Sequence, residues 1–326
     1  MQQTINTQEL ENALNKYGDI VLTKNSKNDV IIMSISEYKR KLKDNELSKK
    51  LDKAEQQIKD GKTVKATTVF RELEEKYGLT EALIAVPAYE QSSDQEVAFQ
   101  AVDYILRVLK KNMVFGMTWG RAMHEFVEQL AKDERLRSLS FQNVKVVPFL
   151  GTPGAIQSDS WNTTTYSNTL ATKVGNLLHC ASYNLSAPMY VEGTKEKELI
   201  ESIDEIAKVL HMAETADIAL IGIGSMQDDS SIIKAEIRTK EEYKELVRKG
   251  AVGEIVGRIY DKNGQTVDED LKRKMVGISL DKIAKIPVRV GMSYGKDKIE
   301  AIKGAIAGGL VNVLVTDVPT AELLLK

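Results

Sequence analysis

Cysteine is almost absent: Cys180 is the only one among 326 residues. That excludes an intramolecular disulfide and any metal site built on cysteines. No apolar run approaches the roughly 20 residues of a membrane-spanning helix. The polar opening MQQTINTQELENALNK lacks the apolar centre of a secretory signal. A cytoplasmic protein with no membrane partner is therefore expected. An excess of one charge is lacking too, since 45 Lys and Arg face 47 Asp and Glu for a net charge of −2. The whole chain is thus no nucleic-acid binder by gross electrostatics. Its three histidines, His124, His179 and His211, follow no metal-ligand spacing. No Gly-x-Ser-x-Gly elbow and no Gly-x-x-x-x-Gly-Lys-[Ser/Thr] loop occurs. No catalytic constellation, metal or cofactor is expected, and the thiol of Cys180, in the run ATKVGNLLHCAS, reads as buried.

What is present divides into two textures. Residues 1–65 are rich in Lys, Asn and Gln and carry 13 Lys and Arg against 10 Asp and Glu, with a basic run at 39–43, KRKLK. Asn6 and Glu9 stand at capping-box spacing for a first helix. IVLT (20–23) and VIIM (30–33) read as two short strands around a polar turn. Ser34 and Glu37 open a second helix. Leu51, Ala54 and Ile58 mark a third that stops at Gly61, and Val69, Leu73 and Tyr77 mark a fourth before Gly78. This predicts a small α+β segment.

From about residue 79 strands and helices alternate. Apolar runs at 82–87, 112–117, 144–150, 187–191, 217–222, 251–260, 287–291 and 311–316 read as strands. A helix over Asp94–Lys110 turns Val97, Ala101, Ile105 and Val108 inward. The rhythm predicts an α/β, Rossmann-like fold with a mainly parallel sheet covered on both faces. Ligands of such sheets sit beyond the carboxyl ends of the strands, at a topological switch point, so the loops after strands carry the candidates. In GMTWGRAM (116–123), Gly116, Thr118, Trp119 and Gly120 turn the chain into a helix whose first amides form an anion site, with Arg121 adding charge. FLGTPG (149–154) brings Gly151. GIGSMQ offers Gly222 and Gly224 for close backbone approach, without the spacing of a dinucleotide fingerprint. Glu254 interrupts an apolar strand, which suits a carboxylate facing a cleft and accepting sugar hydroxyls. In GMSYGKDKIEAI, Lys296 or Lys298 opposes a helix dipole, as expected if an anion lies between.

In order and spacing, EKYGLTEALIAVP (75–87), VFGMTWGRAM, VKVVPFLG, SNTLATKVGN, DIALIGIGS, GAVGEIVGRIYDKNGQ and KIEAIKGAIAGGLVNVLVTDVPTAELLL resemble the SorC-type sugar-binding domain of bacterial transcriptional regulators. The resemblance implies a fold akin to glucosamine-6-phosphate and ribose-5-phosphate isomerases. It further implies a phosphorylated sugar as effector and assembly as a homodimer or homotetramer. It places the effector phosphate on Thr118, Trp119, Gly120 and Arg121, and makes Asn168, Glu254 and Lys298 pocket residues. Three positions depart from the family pattern. Ala122 stands where threonine is usual, Gly-Thr-Pro-Gly replaces Gly-Gly after VVPFL, and Leu150 stands where some members carry lysine or arginine.

No helix-turn-helix precedes this domain. Instead IVLTKNSKNDVIIMSISEYKRK (20–41) resembles Phd/YefM-type antitoxins, which dimerise and bind operator DNA. The resemblance implies DNA contacts by Lys16, Lys24, Asn25 and Lys27. Two domains are expected, a DNA-binding and dimerisation segment over 1–65 and a phosphosugar-binding effector domain over 66–326. Together they make a transcriptional regulator whose DNA binding is controlled by a phosphorylated sugar. The alternatives are an antitoxin-like protein that captures a toxin and senses a ligand, and a sugar-phosphate isomerase or deaminase of the same fold.

Overall fold

In the computed structural model, the described residues are 19–24, 28–33, 66–86, 93–153, 163–228 and 230–326. The chain separates into two compact units, Met1–Lys65 and Ala66–Lys326. Within the first, β1 (Asp19–Lys24) and β2 (Asn28–Met33) form an antiparallel hairpin with Val21 opposite Ile31. The helices expected before and after it lie outside the described residues.

The second unit starts with α1 (Ala66–Tyr77), β3 (Glu81–Ala85), α2 (Ser93–Val108), β4 (Val114–Met117), α3 (Arg121–Leu130), β5 (Lys145–Pro148), α4 (Ser167–Leu177) and β6 (Ala181–Ser182). It continues with α5 (Thr194–Glu201), α6 (Asp204–Glu214), β7 (Ile218–Gly222), β8 (Gly224–Ser225), α7 (Ser231–Lys234), α8 (Lys240–Arg248), β9 (Ala251–Ile255) and β10 (Arg258–Asp261). The last elements are α9 (Glu269–Lys274), α10 (Leu280–Ile283), β11 (Val288–Met292), α11 (Ile299–Ala307), β12 (Val313–Asp317) and α12 (Val318–Leu325).

Seven strands form one sheet in the order β3-β12-β11-β7-β4-β5-β6, with every neighbouring pair parallel. A sheet covered on both faces buries both sides of its central strands, hence the continuous apolar runs IALIG and VLVTD. Alternation still sorts them. Ile218, Leu220, Val313 and Val315 pack in one core with Val97, Ala101, Ile105, Phe126 and Leu170. Ala219, Ile221 and Leu314 pack in the other with Leu246, Ile255, Ile302 and Leu324. The carbonyls that end α12 are met by α1, since Lys76 Nζ donates to the oxygens of Leu324 and Leu325 at 2.9 Å each and Tyr77 Oη donates to Leu324 at 2.6 Å. A cation there also complements the helix dipole.

Two expected strands differ. Residues 187–191 join the sheet by no strand, and only isolated bridges hold them, Thr152 to Pro188 and Tyr190 to Met275. Pro188 has no N–H to give a ladder, and Ala181–Ser182 supplies the edge strand instead. The run 251–260 is two strands, because the chain reverses at Val256 and Gly257 and pairs Ile255 with Arg258. Both turn residues have positive φ, 54° and 69°, the geometry that matches strand twist in a two-residue hairpin. With β8, this hairpin makes a three-stranded antiparallel sheet, β10-β9-β8.

The topology places the site. From β4 the chain moves outward to β5 and β6, and from β7 it moves the other way to β11 and β12. The adjacent carboxyl ends of β4 and β7 are thus a switch point, where the two following loops diverge and leave a crevice.

Candidate functional site

A cavity of about 410 Å³ occupies this crevice, within the usual size of small-ligand sites. The loop after β4 contributes Trp119, Gly120, Arg121 and Ala122; the loop after β7 contributes Gly222, Ile223, Gly224 and Ser225; the loop after β11 contributes Ser293, Tyr294, Gly295, Asp297 and Lys298. Glu254 from β9, Asp94 from the start of α2, and Ser230 and Ser231 complete most of the lining.

Thr118 stitches the first two loops together. Its N–H donates to Leu220 O at 3.1 Å, and its hydroxyl accepts from the Gly222 N–H at 3.0 Å. Being only 1% exposed, it positions the loops from behind the cavity wall. Gly120, at φ 103°, caps α3 without a side-chain hydrogen bond, and the first turn of α3 has no acidic residue. A residue with a β-carbon is strained at that φ. The α3 amides therefore open on the cavity with the positive end of the helix dipole behind them.

On the opposite wall Glu254 is 8% exposed. Gly224 lies opposite it in the β8–β9 pairing, and a β-carbon on Gly224 would come within 2.8 Å of Glu254 Oε2. Only glycine leaves room for the carboxyl. Glu254 accepts from the Gly257 N–H and from the Trp119 indole. Burial pushes its pKa up to about 7, against these two donors and the charges of Lys298 and Arg258. Lys298 Nζ donates to Ser225 Oγ at 2.9 Å, Ser225 Oγ donates to Asp297 Oδ2 at 2.9 Å, and Lys298 lies 3.7 Å from that carboxylate. At the rim, burial and a hydrogen bond with Asp94 hold the Tyr294 hydroxyl above its ordinary pKa. The cavity thus combines cations and helix amides suited to an anion with carboxylates and hydroxyls suited to a polyol.

Of the residues singled out from sequence, Trp119, Gly120, Arg121, Gly222, Gly224, Glu254 and Lys298 line the cavity. Gly116, Gly151 and Asn168 do not. A β-carbon on Gly116 would meet the Phe149 ring at 1.9 Å, and one on Gly151 would meet the Ala187 carbonyl at 2.5 Å, so both glycines serve close packing. The Asn168 amide is spent within the fold, donating to Thr152 Oγ1 at 2.8 Å and Leu185 O at 3.1 Å and accepting from the Leu185 N–H at 2.9 Å. Lys296 is exposed and lies outside the lining. Cys180 is only half-buried, and burial raises its thiol pKa to about 11. Lys24 ends β1, while Lys16, Asn25 and Lys27 lie outside the described residues. Sequence reasoning missed Asp94, Ser225, Ser293, Tyr294 and Asp297. Four of these sit in loops already singled out, and their place after strands was signal enough to include them. Among the described residues no group of acidic, histidine or cysteine side chains is arranged to hold a metal, and no helix is long and apolar enough to cross a membrane.

Comparison with known proteins agrees with this fold. The model of a sugar-binding domain family, Sugar-bind, matches residues 62–326. The sorbitol operon regulator of Klebsiella pneumoniae is 30% identical over 260 residues, covering 78% of this chain and 79% of that protein. The deoxyribonucleoside regulator of Bacillus subtilis is 25% identical over 257 residues, with 78% of each chain covered. Among solved structures, the full-length sorbitol operon regulator SorC from K. pneumoniae superposes with a TM-score of 0.72 at 28% identity, over 81% of this chain and 82% of that one. A DeoR family transcriptional regulator from Listeria monocytogenes gives 0.69 at 25% identity, over 79% of this chain and 98% of that one. These relatives are transcriptional regulators rather than enzymes. The chain belongs to the SorC-type family of sugar-binding transcriptional regulators.

Proposed function

We propose that the switch-point cavity binds a phosphorylated sugar and that this effector controls operator binding by residues 1–65. The observation that carries the reading is the start of α3, whose cap residue Gly120 supplies no side-chain hydrogen bond and whose first turn holds no acidic residue, opening on the cavity beside Arg121. Such an end favours a phosphate through its amides and its dipole. Across the cavity, Glu254 lines the wall together with Ser225 and Lys298, which hydrogen-bond each other at 2.9 Å, and the three offer acceptors and donors to sugar hydroxyls. The DNA contacts are assigned to Lys16, Lys24, Asn25 and Lys27 of the Phd/YefM-like segment, in a homodimer or homotetramer.

Control requires the effector to favour one arrangement of the protein over another. Gel-shift titrations of the chain's own upstream region, with and without a panel of sugar phosphates, test it. One member of the panel is expected to change operator affinity by roughly 5- to 150-fold, the usual span of allosteric coupling. Operator binding indifferent to every sugar phosphate tried rejects the reading.

A further inference from the structure

We infer that the cavity selects a singly phosphorylated sugar and turns away a bisphosphorylated one. The inference rests on the reading of this cavity as a phosphosugar site and deepens it. Among the described lining residues two cations, Arg121 and Lys298, face three acids, Asp94, Glu254 and Asp297. A phosphate monoester carries about −1.5 to −2 near neutral pH. The start of α3 with Arg121 answers one such group. At the other end of the cavity the cation, Lys298, is already engaged by Ser225 and Asp297.

There the start of α11 already holds an anion of its own. Asp297 lies in the turn before α11, accepts from Ser225 Oγ at 2.9 Å, and stands 3.7 Å from Lys298 Nζ. The Lys298 ammonium also donates to Ser225 Oγ at 2.9 Å and acts on Glu254. The backbone amide of Gly295, in the same turn, is spent on Thr320 Oγ1 at 2.8 Å. A second phosphate here would displace no counter-charge and would face the Asp297 carboxylate. Like charges set against each other on binding cost enough to discriminate between partners. The same carboxylates and hydroxyls accept and donate well to neutral sugar hydroxyls. The polarity of binding follows: phosphate against α3, polyol toward Glu254 and Asp297.

The test is isothermal titration calorimetry on the full chain with matched pairs, fructose 6-phosphate against fructose 1,6-bisphosphate and ribose 5-phosphate against ribose 1,5-bisphosphate, plus the free sugars and inorganic phosphate. In the better-binding pair, the monophosphate is expected to bind at least about tenfold tighter than its bisphosphate. Asp297→Asn is expected to narrow that gap by strengthening the bisphosphate. Asp297→Ser, at a side chain 44% exposed, gives a second variant should the first disturb the fold, with the same narrowing expected. A bisphosphate bound as tightly as its monophosphate, or more tightly, overturns the inference while leaving the phosphosugar reading intact. Binding of the free sugars alone, or of none of these compounds, overturns both.

Discussion

The carboxyl of Glu254 has two hydrogen-bond donors and two cations nearby, and burial outweighs all four by lifting its pKa from 4.5 to about 7. A shift of that size corresponds to on the order of 3 kcal/mol. Its sign follows from proton binding: between pH 4.5 and 7 the folded chain holds a proton here that the unfolded chain has released. Stability from this group is therefore complete below about pH 4.5, falls as pH rises through 7, and is flat above. Glu254→Gln keeps an acceptor for the Gly257 and Trp119 N–H groups without the charge. At pH 8, the ligand-free variant is expected to be more stable than the parent by about 1–3 kcal/mol. At pH 4.5 the advantage is expected to vanish. Melting temperatures across that range by circular dichroism check it, and parallel pH profiles for the two proteins contradict it. An exposed, solvated Glu254 would show no such difference. The cost of keeping this carboxyl buried implies that its value lies in what it contacts within the cavity.

At the scale of elements, the parallel sheet was legible because strands buried on both faces must be apolar throughout, and seven of eight apolar runs became strands of one sheet or the other. The hairpin of β9 and β10 was not legible. Its turn is Val256-Gly257 in place of the asparagine- or aspartate-glycine pair that signals such turns, and valine resists the φ of 54° it adopts. Tertiary contacts hold it there: Val256 is 1% exposed, and the Gly257 N–H is bound by Glu254. The site was half legible for a related reason. Sequence shows which loops follow strands, and the switch point that selects among them exists only once the strand order is known. Gly116, Gly151 and Asn168 were misassigned because glycine for close packing and asparagine for bracing look the same in sequence as their ligand-binding counterparts. Equally hidden was the pairing of Arg238, before α8, with Asp268, the cap of α9. The guanidinium meets that carboxylate at 2.8 and 3.1 Å and Asp270 at 3.0 Å, while Asp268 also accepts from the Leu271 N–H at 2.9 Å. The Arg238 and Asp268 side chains are 9% and 7% exposed. Arg238→Ala leaves a buried carboxylate unpaired, and a loss of about 3–5 kcal/mol is expected in chemical denaturation. Arg238→Ala combined with Asp268→Asn is expected to lose less than the two single changes added together.

For the whole molecule, the division at residue 65 separates what is proposed to sense an effector from what is proposed to bind DNA. Residues 66–326 carry both cores and the complete described lining of the cavity, which is sufficient for independent folding of a domain this size. Expressed alone, this fragment is expected to unfold cooperatively and to keep the effector affinity of the free full chain, while losing operator binding. Linkage then supplies a sharper requirement. If an effector changes operator affinity by some factor, operator DNA must change effector affinity by the same factor. Calorimetry on the full chain with and without operator is expected to recover the factor measured by gel shift, and the fragment's effector affinity is expected to ignore the DNA. Equal effector affinities for the full chain with and without operator, alongside an effector-dependent gel shift, violate that equality and reject effector control of operator binding at equilibrium.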